Sequence, residues 1–209
     1  MIQPTIDLES EILNKGYANV CGVDEVGRGP WAGPVVVGVV CINNRDQFLE
    51  GVRDSKSMSE KKRDYFFELI KEKSHGWGIG IVENYDIDKL GLSNSIERAA
   101  ELALEDLKKR ISSDIGYLLI DGNINGFNNF KKELVNKGDS LHYSISAASV
   151  IAKVTRDNIM KEYSNIFPEY GFERNVGYGT KEHREALEAI GPCKIHRRSF
   201  KPIAKFDFD

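Results

Sequence analysis

Two adjacent acids, Asp24 and Glu25, close an apolar run that begins at Val20, and the chain then continues Val-Gly-Arg-Gly-Pro-Trp-Ala-Gly-Pro. An acid pair at a strand end can be no more than a solvated strand end. Here it is followed by glycines at 27, 29 and 33, and a backbone without Cβ lets N–H groups approach a ligand closely. Gly27-Arg28-Gly29 can therefore offer amide donors and a guanidinium to phosphate or sugar oxygens, although a tight turn would use the same glycines. A further acid, Asp121, ends the apolar run Gly116–Asp121 and precedes Gly122, and another, Asp139, lies in Lys137-Gly138-Asp139-Ser140. If the strands carrying Asp24 and Asp121 are neighbours, several carboxylates converge at one sheet edge. Like charges at close range oppose ionisation, so such a cluster needs cations. Oxygen donors without accompanying His or Cys suit Mg²⁺ or Mn²⁺ rather than zinc. Side chains alternate along a strand, so a regular strand would send Asp24 and Glu25 to opposite faces. The strand is accordingly expected to end or distort there, which the nearby glycines make easy.

These residues need a scaffold, and 209 residues with 41% hydrophobic and 29% charged side chains suit one large domain. No apolar stretch approaches the roughly 18 residues of a membrane span. Met1–Ser10 carries acids rather than a basic start with an apolar stretch, so no export address is visible and the expected compartment is the cytoplasm. Cys21, Cys41 and Cys193 form no close pair and read as core thiols. The net charge of −3 announces no nucleic acid, and a polyanion would have to meet a local patch such as Gly191–Lys201, with Lys194, His196, Arg197, Arg198 and Lys201. Val20–Glu25, Pro34–Ile42, Gly76–Val82 and Gly116–Asp121 read as strands, and Leu141–Ile145 as a weaker one. Helices are expected over Ser59–Lys73, from Asn94 through Ile111 with Asn94 and Glu97 as a capping box, from Ala147 through Ile159, and over Thr180–Ile190. The sum is a mixed α/β sheet with hairpin-like strands first and a helical C-terminal part. His183 and His196 lack the helical spacing of a zinc pair and, like the isolated His75 and His142, read as structural.

Taken together, Gly-Val-Asp-Glu-Val-Gly-Arg-Gly-Pro with Ala-Gly-Pro-Val, Asp54-Ser55-Lys56, Leu119-Ile120-Asp121-Gly122, Lys137-Gly138-Asp139, Ser146 through Asp157, Tyr170-Gly171-Phe172, Gly177-Tyr178-Gly179-Thr180 with His183, and His196 through Phe200 resemble, in order, the blocks of bacterial ribonuclease HII. The resemblance implies a ribonuclease H-like α/β fold, a five-stranded mixed sheet flanked by helices. It would be a single domain over 1–209, with a core of about 18–165 and a C-terminal helical segment of about 166–209. It also implies a metal-dependent endonuclease that cuts the RNA strand of RNA–DNA hybrids and nicks duplex DNA 5′ of an embedded ribonucleotide, leaving 5′-phosphate and 3′-hydroxyl ends. The family's four catalytic and metal-holding acids map onto Asp24, Glu25, Asp121 and Asp139, with two divalent ions, Mn²⁺ or Mg²⁺, per site. Gly27, Arg28 and Gly29 would contact the 2′-hydroxyl, and Tyr178, which alone reads as a half-buried aromatic, would pack on the adjoining deoxyribose. Lys56, Lys153, Arg156, Arg197 and Arg198 are the expected phosphate contacts. Arg156 and Asp157 could equally form a surface pair, and Asp157 is left out of the metal set. The expected partners are hybrid and ribonucleotide-containing duplex DNA, acted on by a monomer with no membrane association and no recognisable clamp-binding peptide. The aromatic end, Phe200, Phe206 and Phe208, is expected to fold back on the core. Rival readings are a ribonuclease HIII-like nuclease, which does not normally carry Gly-Arg-Gly, a metal-independent glycoside hydrolase, and a catalytically silent hybrid-binding protein.

Overall fold

The apolar runs of the sequence pair into one sheet in the computed structural model, which describes residues 3–124 and 127–206. The strands are β1 (Val20–Val26), β2 (Val35–Ile42), β3 (Gly76–Val82), β4 (Tyr117–Asp121) and β5 (Lys132–Val135), in the order β3-β2-β1-β4-β5. β2 runs antiparallel to both of its neighbours, β1 and β3, whereas β4 pairs parallel to β1 and β5 parallel to β4. This is the expected five-stranded mixed sheet. The helices are α1 (Asp7–Asn14), α2 (Glu60–Lys73), α3 (Asn84–Leu90), α4 (Leu92–Lys108), α5 (Gly138–Leu141), α6 (Tyr143–Ile166), α7 (Phe172–Asn175) and α8 (Lys181–Ile190). None of the described helices is long and apolar enough to cross a membrane.

Strand alternation divides the core between the two faces of the sheet. Cys21, Val23, Val37, Val39, Leu118 and Ile120 pack against Ala99, Ala103 and Leu107 of α4. Val20, Val40, Ile42 and Leu119 pack against Tyr143, Ala147, Ala148 and Ile151 of α6, with α1 and α2 alongside. Both helices lie directly on the sheet because glycine faces them. A Cβ on Gly22 would fall on the α6 backbone at Ser144, and one on Gly80 on the α4 backbone at Ala99. A third cluster, around Ala32, Met160, Tyr170, Phe172, Leu187 and Ile195, joins the far end of α6 to the C-terminal helices. Phe200 packs against the α4-side core and Phe206 against this third cluster, as the fold-back expectation requires, while Phe208 lies outside the described residues.

Two local expectations fail. Leu141–Ile145 is not a strand: His142 alone keeps extended angles, in a single bridge to Thr5, and α6 begins at Tyr143. The buried Glu9 carboxylate explains the early start, since its Oε1 accepts from both Ser144 N and Ser144 Oγ at 2.8 Å and so holds the positive end of the helix. The fifth strand is Lys132–Val135 instead, a half-exposed edge strand whose charged residues conceal it in the sequence. Nor does Asn94 cap a helix. α4 starts at Leu92, behind Gly91 with φ 77°, and Asn94 lies inside the first turn with Nδ2 donating to Leu90 O at 2.9 Å.

Candidate active site

β1 stands between an antiparallel and a parallel neighbour, and in open sheets the carboxyl end of such a strand is where ligands collect. Its last pair with β4 is Val23–Ile120, so the next residues along, Asp24 and Asp121, stand side by side, Asp121 at the end of β4 and Asp24 two residues before the end of β1. Asp24 lies opposite Gly38 on β2, which leaves its side chain room on the α6 face, where Ser149 hydrogen-bonds its carboxyl. Asp121 Oδ1 accepts from Gly138 N at 2.6 Å, and that bond ties the end of β4 to the turn that presents Asp139 at the start of α5. Lys137, left-handed at φ 57°, makes the turn.

The expected distortion at Asp24 and Glu25 is absent. Pairing runs without a break through Glu25–Val37 and Val26–Val36, so β1 is regular to its end. Glu25 therefore starts from the α4 side, opposite Asp24, and Arg28 Nη1 holds its Oε1 at 3.0 Å. Its other oxygen, Oε2, is buried without a hydrogen-bond partner. The charges still feel one another. Burial, then the Glu25 and Asp121 charges, push Asp24 well above the usual carboxylate range. Burial and the Asp121 charge raise Glu25 against the pull of Arg28, and burial and Asp139 raise Asp121 against its backbone hydrogen bonds. Lys56 Nζ lies 3.6 Å from Asp139 Oδ2, and although burial opposes its charge, Asp54, Asp139 and Asp24 hold the ammonium above its ordinary value.

Among the described residues no three His, Cys, Asp or Glu side chains stand closed around a common point as they would around an ion. The donor set nevertheless fits a hard divalent cation: all four side chains offer oxygen, the ionised forms of Asp24, Glu25 and Asp121 are under-compensated, and Glu25 Oε2 is an orphaned buried acceptor. Ser149 was not among the expected site residues. Its Oγ also meets Ser55 Oγ at 2.8 Å, and so links the loop of Lys56 to Asp24. The signal in the sequence was a serine in an otherwise apolar, alanine-rich helix.

The glycine loop faces Tyr178. A Cβ on Gly29 would lie 3.2 Å from Tyr178 Cε1, so the ring and the bare backbone face each other across a gap too narrow for a side chain. Two expected phosphate contacts turn out to build this loop from beneath. Arg156 is fully buried, and donates to Pro34 O, Val176 O and Ala32 O at 2.9, 2.9 and 3.1 Å. Arg197 is equally buried, and donates to Gly33 O, Arg28 O and Pro34 O at 2.9, 3.3 and 3.0 Å. Neither has surface to give a phosphate, and Arg156 makes no surface pair with Asp157. Lys153 is also committed, to Asp157 at 2.7 Å, and Asp157 takes Arg63 as well. Lys56 and Arg198 remain exposed at the surface. His183 and His196 are buried against each other, in keeping with a structural role.

A five-stranded mixed sheet with acids at the carboxyl ends of adjacent parallel strands defines a protein of the ribonuclease H-like class. The ribonuclease HII family model matches residues 21–203. The chain is 50% identical over 193 residues to the ribonuclease HII of Clostridioides difficile strain 630, covering 92% of this chain and 73% of that protein. It is 45% identical over 193 residues to that of Bacillus subtilis strain 168, again covering 92% and 73%. Its fold is similar to the crystal structure of ribonuclease H2 from Pyrococcus horikoshii OT3, with TM-score 0.71 and 25% identity over 90% of this chain and 96% of that one. The chain belongs to the ribonuclease HII family.

Proposed function

We propose that the protein is an endoribonuclease that hydrolyses the RNA strand of RNA–DNA hybrids and nicks duplex DNA 5′ of an embedded ribonucleotide, leaving 5′-phosphate and 3′-hydroxyl ends. The observation that carries this reading is the side-by-side placement of Asp24 on β1 and Asp121 at the end of β4, with Asp139 and Glu25 nearby, at the only topological switch of the described sheet. Asp24, Glu25, Asp121 and Asp139 are the residues that would hold two Mn²⁺ or Mg²⁺ ions. Such ions stabilise both the attacking and the leaving oxygen of an in-line displacement at phosphorus. Arg28 steadies Glu25, Ser149 orients Asp24, and the Gly138 amide fixes Asp121.

Selection falls to the loop. The main chain of Gly27–Gly29 hydrogen-bonds the 2′-hydroxyl, which alone distinguishes RNA from DNA at a single position. The exposed Tyr178 ring packs on the neighbouring deoxyribose across the gap from Gly29. Lys56 and Arg198 take phosphates, contacts that carry no base information and weaken with added salt. Residues 1–209 act as one unit, as a monomer.

A duplex DNA substrate with one ribonucleotide tests this reading. Nicking on the 5′ side that requires Mn²⁺ or Mg²⁺, and that Asp121→Asn abolishes while duplex binding persists, is the expected result. Cleavage retained in excess chelator would instead favour the metal-independent reading, and binding without cleavage in the unaltered protein the silent one.

A further inference from the structure

Behind Tyr178 lie two imidazoles that touch no acid of the site. His183, on α8, and His196, in the segment after it, are 0% and 1% exposed, and their Nε2 atoms face each other at 2.9 Å. At one end of the pair His183 Nδ1 is 2.9 Å from Tyr178 O, and at the other His196 Nδ1 is 2.9 Å from Cys193 N. Tyr178 O only accepts, which puts the His183 proton on Nδ1 and leaves its Nε2 to accept from His196 Nε2–H; His196 Nδ1, which also lies 3.1 Å from Cys193 O, is then left as the acceptor of the Cys193 N–H. Cys193 N–H donates to His196 Nδ1, His196 Nε2–H to His183 Nε2, and His183 Nδ1–H to Tyr178 O. The opposite tautomers would set a lone pair against the Tyr178 carbonyl, and a proton on both rings would set two N–H groups against each other.

Burial keeps the pair neutral. It lowers His183, and burial together with the neighbouring His183 pushes His196 down to about 4. The groups facing the rings are the aromatic walls of Trp31, Tyr170 and Phe172, the Cys193 thiol at 3.2 Å from His196 Nδ1, and Glu182, which is engaged by Arg174. Tyr178 O also accepts from Thr180 N at 2.8 Å, and Tyr178 N donates to Asn175 O at 2.9 Å. The residue is thus pinned at both backbone groups while its ring is 45% exposed. The His196 segment also grips the opposite side of the gap, through Arg197 N to Trp31 O at 2.8 Å and Gly33 N to Ile195 O at 2.9 Å. One anchor serves both sides.

We propose that His183 and His196 are positioning residues: their directed hydrogen-bond chain sets the gap between Tyr178 and Gly29, and through it the preference for a ribonucleotide joined to deoxyribonucleotide. The inference rests on the sugar-packing role given to Tyr178 above, and the variants separate the two. Steady-state rates are compared on duplex DNA with one ribonucleotide and on a uniform RNA–DNA hybrid, for the unaltered protein, His183→Gln, His183→Asn, Tyr178→Ala, and His183→Gln with Tyr178→Ala. His183→Gln should raise KM on the single-ribonucleotide substrate about tenfold with little change in kcat, a loss of binding rather than of chemistry. The hybrid should be affected far less. His183→Asn, whose amide nitrogen replaces Nδ1, should restore most of the loss, and the double variant should match Tyr178→Ala alone. Equal losses on both substrates, or additive losses in the double variant, would overturn the positioning role while leaving that of Tyr178 standing. A Tyr178→Ala protein with unaltered preference would overturn both. Nitrogen NMR of the unaltered protein supplies an arm independent of variant folding: at neutral pH His183 should be protonated at Nδ1 and His196 at Nε2, and the reverse tautomers would also overturn the proposal.

Discussion

At the end of β1, Asp24, Glu25 and Asp121 crowd one another and their pKa values rise, whereas under the neighbouring loop Arg156 and Arg197 are buried completely and each gives its N–H groups to three carbonyls. Burial lowers Arg156 to about 10, and burial with Arg156 lowers Arg197 to about 9, so both stay charged at neutral pH. The guanidiniums meet a complete set of acceptors within the chain and act as rigid struts. The acids have Arg28, Lys56 and a few hydrogen bonds, which do not suffice. On the function proposed above, what completes them comes from solution, and that difference would separate a reactive centre from the frame that holds it.

The sharpest test of the contrast is Asp24→Asn. Cleavage should fall at least about a thousandfold, roughly 4 kcal/mol of barrier. The metal-free protein should at the same time become more stable, because an under-compensated charge is gone. A thermal melt shows this directly, at about 2–4 °C for each kcal/mol in a chain of this size, and a lower Tm would break the contrast. Arg197→Met makes the reverse prediction. It removes the Arg197 bonds to Gly33 O and Arg28 O, while Pro34 O keeps its bond from Arg156 Nε, and should lower stability in denaturant titration by about 2 kcal/mol or more; a loss below about 1 kcal/mol would show the strut to be dispensable.

The pH dependence sharpens the acid side. Asp24 has a folded-state pKa above its unfolded value, so the stability it contributes is full below the unfolded value of about 3.9 and is lost as pH rises through the folded one. The Tm advantage of metal-free Asp24→Asn over the unaltered protein should therefore grow from about pH 4 towards neutrality, and saturating Mn²⁺ should remove it. An advantage that stays flat with pH would mean that the charge of Asp24 is already compensated. The smallest effect belongs to the loop. Tyr178→Phe should nick a single-ribonucleotide duplex within about twofold of the unaltered rate and Tyr178→Ala about tenfold more slowly, and equal losses would remove the ring-packing account.

Much of this could be read from the residues before folding. Val20–Glu25, Pro34–Ile42, Gly76–Val82 and Gly116–Asp121 announce themselves by apolar runs and flanking glycines, and their acids by ending those runs. The edge strand Lys132–Val135 did not, because an edge strand needs only one pairing partner and tolerates charge. The Leu141–Ile145 alternation misled because a carboxylate from α1, 135 residues away in sequence, fixes the start of α6. Arg156 and Arg197 misled in the same way: basic residues among nucleic-acid motifs suggest phosphate, and only the folded chain brings the carbonyls of residues 28–34 and 176 around them. Likewise, nothing local ties His183 to His196 or Ser149 to Ser55.

Where α6 and α4 lie on the sheet at Gly22 and Gly80, main chain rests on main chain with no side chain between. Such a contact has no cushion, so the layers can neither slide nor shear without atoms colliding. The floor beneath Asp24 is consequently held rigid. Any yielding that admits a bulky double-stranded ligand must take place at the rim, among the loops.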